Sequence, residues 1–386
     1  MFVEKAVVHM DLDSFFVSVE CLKNSQFLGK PLIIGGMGDR GVVSSCSYEA
    51  RRYGVHSAMP TKMAKRLCPD AIFLRGDMDS YIAHSQMVTE IIAEDAPIFE
   101  KASIDEFYID VSGMDRYFGC YQWSLALRQR IIKEAGLPIS MGLSVNKLVS
   151  KVGTGEAKPN GAIQIDQGTE KMFLAPLSTQ KIPGIGPETY KKLSFMGVRT
   201  VKVLSEVPVR LLEREFGSSG GRTLWEKANA IDHTKIVPYH EAKSMSSERT
   251  LGTDTMDIRL LRDMLTAMTD KLAFDLRSSS KLTCCVAVKI RYADFNTYTQ
   301  QRKISHTAND KVLLRVVHAL FEKVYDRRQM IRLIGVKFTD LVHGHTQMDL
   351  FDDTEEELRL MEQMDHIRKR FGAKSILRAS CMEVKR

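Results

Sequence analysis

Ala102-Ser103-Ile104-Asp105-Glu106-Phe107-Tyr108-Ile109-Asp110, read together with the distant His9-Met10-Asp11-Leu12-Asp13-Ser14-Phe15-Phe16, decides the fold of this chain. In each stretch carboxylates interrupt an apolar, β-prone run. Burying an unpaired anion in a sheet costs several kcal/mol unless a cation or hydrogen bonds offset it. Asp11 closes the run Ala6-Val7-Val8-His9-Met10, while Asp105 and Glu106 sit where Phe99 to Ser103 gives way to Phe107 to Val111. If these segments are neighbours in one sheet, three carboxylates converge, a donor set suited to a pair of hard divalent ions. Strand-end caps or solvated turn acids would explain a lone Asp-x-Asp, but less readily two such stretches together.

Working outward, 386 residues exceed one ordinary domain and predict two to four. Net charge is −2 over residues 1–166, +4 over 167–240, +6 over 241–345 and −1 over 346–386. An acidic block followed by two basic blocks suits a metal-using enzyme with separate modules that grip nucleic acid. The cysteines at 21, 46, 68, 120, 284, 285 and 381 form no Cys-x-x-Cys, which argues against zinc and a disulfide framework and fits a reducing cytoplasm. The N-terminus runs into a strand without an apolar signal region, and no apolar stretch approaches the ~20 residues of a membrane span. A cytoplasmic protein without membrane contact is expected.

Residues 1–20 and 77–166 read as β, α, β, β, α, β, an α+β order that predicts an antiparallel-rich, ferredoxin-like sheet with helices on one face. Residues 21–76 read as a small insertion with strands at 31–35 and 41–46. In Ser44-Ser45-Cys46-Ser47-Tyr48-Glu49-Ala50-Arg51, Tyr48 and Arg51 fall on one helical face and can offer a hydroxyl and a guanidinium to the same phosphate. Thr61 as N-cap, or Pro60 in the first turn, starts the next helix. Residues 167–235 are helical and basic. There Gly184 and Gly186 of Ile182-Pro183-Gly184-Ile185-Gly186-Pro187 permit a tight turn at a helix N-terminus, followed by Lys191, a helix-hairpin-helix pattern that binds DNA phosphates without reading sequence. A linker at 236–243 leads to a second β-α-β-β-α-β unit at 244–342, whose Lys289, Arg291, Arg302, Lys303 and Arg332 lie on or beside strands. The tail, 343–386, holds a helix from Thr354 to Arg370.

The Met-Asp-x-Asp-x-Phe-Phe and Ser-x-Asp-Glu motifs resemble those of the Y-family of translesion DNA polymerases, most closely the DNA polymerase IV branch, over about residues 6 to 340. That resemblance implies a right-hand polymerase: palm at 1–20 and 77–166, fingers at 21–76, thumb at 167–235, linker at 236–243, little finger at 244–342 and a C-terminal tail at 343–386. It makes Asp11, Asp105 and Glu106 catalytic ligands of two Mg²⁺ ions, with the Leu12 carbonyl as a further ligand. It makes Phe16 the steric gate against a ribose 2′-hydroxyl, and it sets Ser45, Tyr48, Arg51 and Lys158, the last in a Lys-Pro-Asn-Gly turn, around the deoxynucleoside triphosphate. Gly184, Gly186, Lys191, Arg291 and Arg332 fall to primer-template DNA, and low fidelity follows from the family.

Gln347-Met348-Asp349-Leu350-Phe351 looks like the bacterial sliding-clamp motif, with Gln347 hydrogen-bonding and Leu350 and Phe351 filling an apolar pocket. The closing Arg370-Phe371-Gly372 segment is weakly similar to the polymerase V catalytic subunit, and a monomer is expected. Two rivals remain. A palm-type nucleotide cyclase also pairs acids on such a sheet but has no duplex to hold, and a non-catalytic, clamp-tethered accessory protein has no need of three acids with Tyr48, Arg51 and Lys158.

Overall fold

Strand β1 (Val7–Leu12) is the central strand of a five-stranded sheet ordered β5-β6-β1-β7-β8. The computed structural model describes residues 5–114, 119–326, 328–344, 355–372 and 375–381, in two compact units, 1–240 and 241–386. Between β1 and the other strands of this sheet come α1 (Phe15–Lys23), then β2 (Leu32–Gly35), β3 (Val43–Cys46), α2 (Tyr48–Arg51), α3 (Thr61–Leu67) and β4 (Ile72–Leu74). Strands β2 to β4 make a separate small sheet ordered β3-β2-β4. Pro60 caps α3, and the Thr61 hydroxyl instead donates to Gly36 O at 2.9 Å, so Thr61 ties the insertion together without acting as a cap.

The chain returns through α4 (Met78–Asp95), β5 (Ile98–Lys101), β6 (Glu106–Asp110), α5 (Cys120–Ala135), β7 (Ile139–Ser144), α6 (Lys147–Ala157) and β8 (Ala162–Gln164). β1 runs antiparallel to both β6 and β7. Alternation along β1 sends Val8, Met10 and Leu12 into the core under α4 and α5, and His9 with Asp11 to the opposite face. That second face is covered by α6, so helices flank the sheet on both sides where one-sided cover was expected. Gly142 makes this possible: a Cβ there would stand 2.3 Å from Ser150 O and 2.7 Å from Thr154 N. Residues 167–240 follow as α7 (Glu170–Leu174), α8 (Pro187–Phe195), α9 (Val201–Glu206), α10 (Val209–Phe216) and α11 (Ser218–Ala228), around a core that joins Leu174, Leu193, Leu204 and Leu212 to Leu148, Val149 and Val152 of α6.

The second unit is β9 (Ser244–Thr255), α12 (Ile258–Ser278), β10 (Lys281–Tyr292), β11 (Thr297–Thr307), α13 (Asp310–Val324) and β12 (Ile331–His343). Its element order repeats that of the first sheet, yet its strands are wired β11-β10-β12-β9, all antiparallel. Val286, Val288 and Ile290 pack under α12 and α13, leaving the alternate residues on an open face. In the tail, α14 (Glu355–Phe371) is bound to this unit through Arg277, which donates to Asp365 at 2.6 and 3.0 Å and to Asp310 at 2.5 Å. No disulfide joins any of the seven cysteines, all of which lie among the described residues.

Candidate active site

Register settles what meets what: Asp11 on β1 stands directly opposite Glu106 on β6. The turn before β6 is fastened to β1 by Leu12 N–H donating to Asp105 O at 3.0 Å. Within that turn Ser103 Oγ donates to Asp105 Oδ1 at 2.6 Å and accepts the Glu106 amide at 3.1 Å. The carboxylates of two segments almost a hundred residues apart are thus brought to one end of one sheet.

Asp11 and Glu106 each lean on a cation of the chain itself, whereas Asp105 is held by the Ser103 hydroxyl. Lys158 Nζ lies 2.5 Å from Asp11 Oδ1 and 3.3 Å from Asp13 Oδ1, and Lys151 Nζ lies 2.6 Å from Glu106 Oε1. Posed so, no three acid, histidine or cysteine groups among the described residues surround a single point at ligand distance. Burial pushes the Asp11 carboxyl up to about 6, against the pull of Lys158 and with the repulsion of Asp105 and Glu106. Glu106 is held down at about 2 by the approach of His9 and by Lys151. The His9 contact, Nε2 to Oε1, is 3.5 Å, so the lysine is the firmer hold. Half-buried anions that already recruit ammonium groups, in a set of hard oxygen donors, fit a divalent cation.

Beside them lies a cavity of about 240 Å³ lined by Asp11, Leu12, Phe16, Ser45, Arg51, Asp105 and Lys158 among others. The Phe16 ring forms part of that wall and is stacked on buried Tyr81, centroids 4.3 Å apart and 11° from parallel. Tyr81 OH donates to Glu20 at 2.8 Å and so fixes the backing of Phe16, a support that sequence reading missed. Arg51 lies over the Tyr48 ring at 4.6 Å, and Tyr48 OH donates to Asp13 at 3.2 Å, its hydroxyl pushed up to about 12 by burial and Asp13. Asp13 is 2 % exposed and also accepts from Ser140 Oγ and from Asn160 N–H at 2.7 Å. It braces the turn, as befits an acid not read as an ion ligand. The residues missed outright are Lys151 and His9, although Lys147, Lys151 and Thr154 fall on one helical face and were legible as such.

Farther along, Gly184 adopts φ +93°, Gly186 is the N-cap of α8 with no side-chain cap, and Lys191 is exposed. Lys227 Nζ donates to Pro183 O at 2.6 Å, clasping this hairpin from α11. In the second unit Arg291 donates to Thr297 Oγ1 at 2.8 Å and Arg332 lies 4.5 Å over Phe295. Gln347, Leu350 and Phe351 lie outside the described residues.

Residues 10–155 match the impB/mucB/samB family, residues 242–350 its C-terminal domain, and residues 180–232 the DNA polymerase-iota thumb domain. A DNA polymerase IV of Dehalococcoides mccartyi is 36% identical over 96% of both chains, and one of Treponema denticola 33% identical over 98% of this chain and 97% of that one. Among solved structures, a Y-family DNA polymerase chimera is 25% identical, covering 88% of this chain and all of its own, with a TM-score of 0.77. DinB from Sulfolobus solfataricus has the same identity and coverage at 0.62. Site geometry, three family matches and relatives alike over nearly the whole chain converge: this chain belongs to the impB/mucB/samB family of Y-family DNA polymerases, among relatives named DNA polymerase IV.

Proposed function

We propose that this chain, a template-directed translesion DNA polymerase by its family, uses Asp11, Asp105 and Glu106, with the Leu12 carbonyl, to hold two Mg²⁺ ions. The reaction joins a primer 3′-oxygen to the α-phosphorus of a deoxynucleoside triphosphate while the bond to the β-phosphate oxygen breaks and pyrophosphate leaves. Bound ions would supply activation of the attacking hydroxyl and neutralisation of the leaving group. The observation that carries this reading is the pairing of Asp11 with Glu106 across β1 and β6, with the Asp105 turn fastened to Leu12 beside one cavity.

The chain's other residues position the substrate. Lys158 and Arg51 reach the cavity and stabilise charge on the triphosphate, with Tyr48 beside them. Ser45, on β3, lines the base-pair side with a small side chain, and Phe16 stands where a 2′-hydroxyl would clash. We place the domain borders at 1–20 and 77–166 for the palm, 21–76 for the fingers, 167–235 for the thumb, and 244–342 for the little finger. Gly184, Gly186 and Lys191 serve duplex phosphates, as do Arg291 and Arg332. Gln347, Leu350 and Phe351 are assigned to a sliding clamp, and the protein to a cytoplasmic monomer. No helix among the described residues is long and apolar enough to cross a membrane.

Primer extension on a primed template with Mg²⁺ tests the whole. Template-directed addition supports it; no addition by purified protein overturns it. Deleting residues 347–351 should spare distributive synthesis and abolish stimulation by a clamp, and undiminished stimulation would remove that assignment.

A further inference from the structure

Helix α6 lays one face against the acidic side of the catalytic sheet. Lys147, Lys151 and Thr154, at i, i+4 and i+7, and Lys158 at the C-cap just past the helix, each meet a partner there: Glu100 at 2.8 Å, Glu106 at 2.6 Å, His9 at 2.8 Å and Asp11 at 2.5 Å. Lys147 is mostly covered and its partner Glu100 is buried, side chains 12% and 7% exposed, and the pair is a structural tie. Lys158 is assigned to the triphosphate. Lys151 has no such part, yet its ammonium occupies one of the oxygens that Glu106 offers to an ion.

We propose that Lys151 is a built-in placeholder cation, which steadies Glu106 in the ion-free protein and has to yield that oxygen when a divalent ion binds. This rests on reading Glu106 as an ion ligand. Without some cation the facing carboxylates of Asp11 and Glu106, register partners on adjacent strands, would repel each other. An ion at Glu106 Oε1 would in turn stand within a few ångströms of the ammonium, a distance at which like charges repel even under strong screening. Lys151 can leave: its side chain is 35% exposed, and its four-carbon stem can swing the charge into water. Ion affinity is then set partly by competition from the helix, and a neutral residue at 151 removes the competitor.

Binding of Mn²⁺ alone to the full-length protein, followed through the electron paramagnetic resonance signal of the free ion, tests this in wild type, Lys151→Met, Lys151→Gln, Lys151→Arg and Glu106→Gln. The Met and Gln variants should bind about 3- to 10-fold tighter than wild type, and Arg should bind like wild type. Glu106→Gln should bind more weakly, and adding Lys151→Met to it should bring no gain. Unchanged or weaker binding by both neutral variants, with Glu106→Gln still impaired, overturns the placeholder alone. Wild-type affinity in Glu106→Gln overturns the ligand reading beneath it. A lysine with a merely structural role would lower thermal stability without raising ion affinity.

Discussion

Asp11 and Glu106 face each other, yet burial and neighbours drive their carboxyls in opposite directions, and the two have opposite consequences for stability. Asp11 titrates near 6 when folded against 3.8 for the free group, so its share of stability is full below pH 3.8 and is lost as pH rises through 6. Replacing it with Asn should therefore stabilise the ion-free protein at pH 7, by up to about 3 kcal/mol, while lowering polymerisation on the order of 10³-fold. Glu106 titrates near 2 against 4.5, so its share is full above pH 4.5 and lost as pH falls through 2. Glu106→Gln should destabilise the protein at pH 7, by up to about 3 kcal/mol. Urea melts at pH 4 and pH 7 measure both, and equal signs for the two variants would contradict the electrostatic picture. Phe16, with its ring stacked on Tyr81 at the cavity wall, offers a separate test. Phe16→Ala should admit ribonucleotides in primer extension, and unchanged sugar choice would remove it as the gate. At this scale the acids were legible because charges inside β-prone runs need a reason. Tyr81 was not, since its stacking on Phe16 depends on α4 crossing α1, which no local pattern encodes.

The element that organises the site is α6. Its approach to β7 depends on Gly142, where any side chain would strike the backbone of Ser150 and Thr154. Gly142→Ala should cost about 3 kcal/mol or more and pull Lys151 and Lys158 away from their carboxylates, seen as a lower melting temperature together with weaker primer extension. A variant of native stability and activity would show that the helix can ride outward freely. The helix itself was readable, with Asn146 as its N-cap accepting from Val149 N–H at 2.9 Å. Its lysine face was readable too, at helical spacing. What stayed hidden was the identity of the partners, because Glu100, Glu106, His9 and Asp11 sit on three different strands. The second β-α-β-β-α-β unit behaves in the same way: element order was legible from periodicity, but the order β11-β10-β12-β9 is a choice of strand neighbours that periodicity does not contain.

Across the whole molecule, charge is divided between a weakly acidic first block, two basic ones and a tail of −1. On the open face of the second unit's sheet, Arg291, Lys303 and Lys337 project from neighbouring strands β10, β11 and β12. Neutralising these three together should weaken primer-template binding and make its dependence on log salt shallower by about one for each phosphate left without its cation. An unchanged slope would move the duplex away from this face. Charge sums located that basic unit, and strand alternation added Lys337, which sequence reading had passed over. The chemistry assigned to the molecule requires that Asp11, Asp105 and Glu106 cradle paired divalent ions. Anomalous scattering from Mn²⁺ in crystals of the protein with primer-template and an unreactive nucleotide measures that directly. Two peaks within ligand distance of these carboxylates are predicted, with Lys151 displaced from Glu106; peaks elsewhere, or both lysines still seated on ion-free acids in a complex that extends primers, would contradict it.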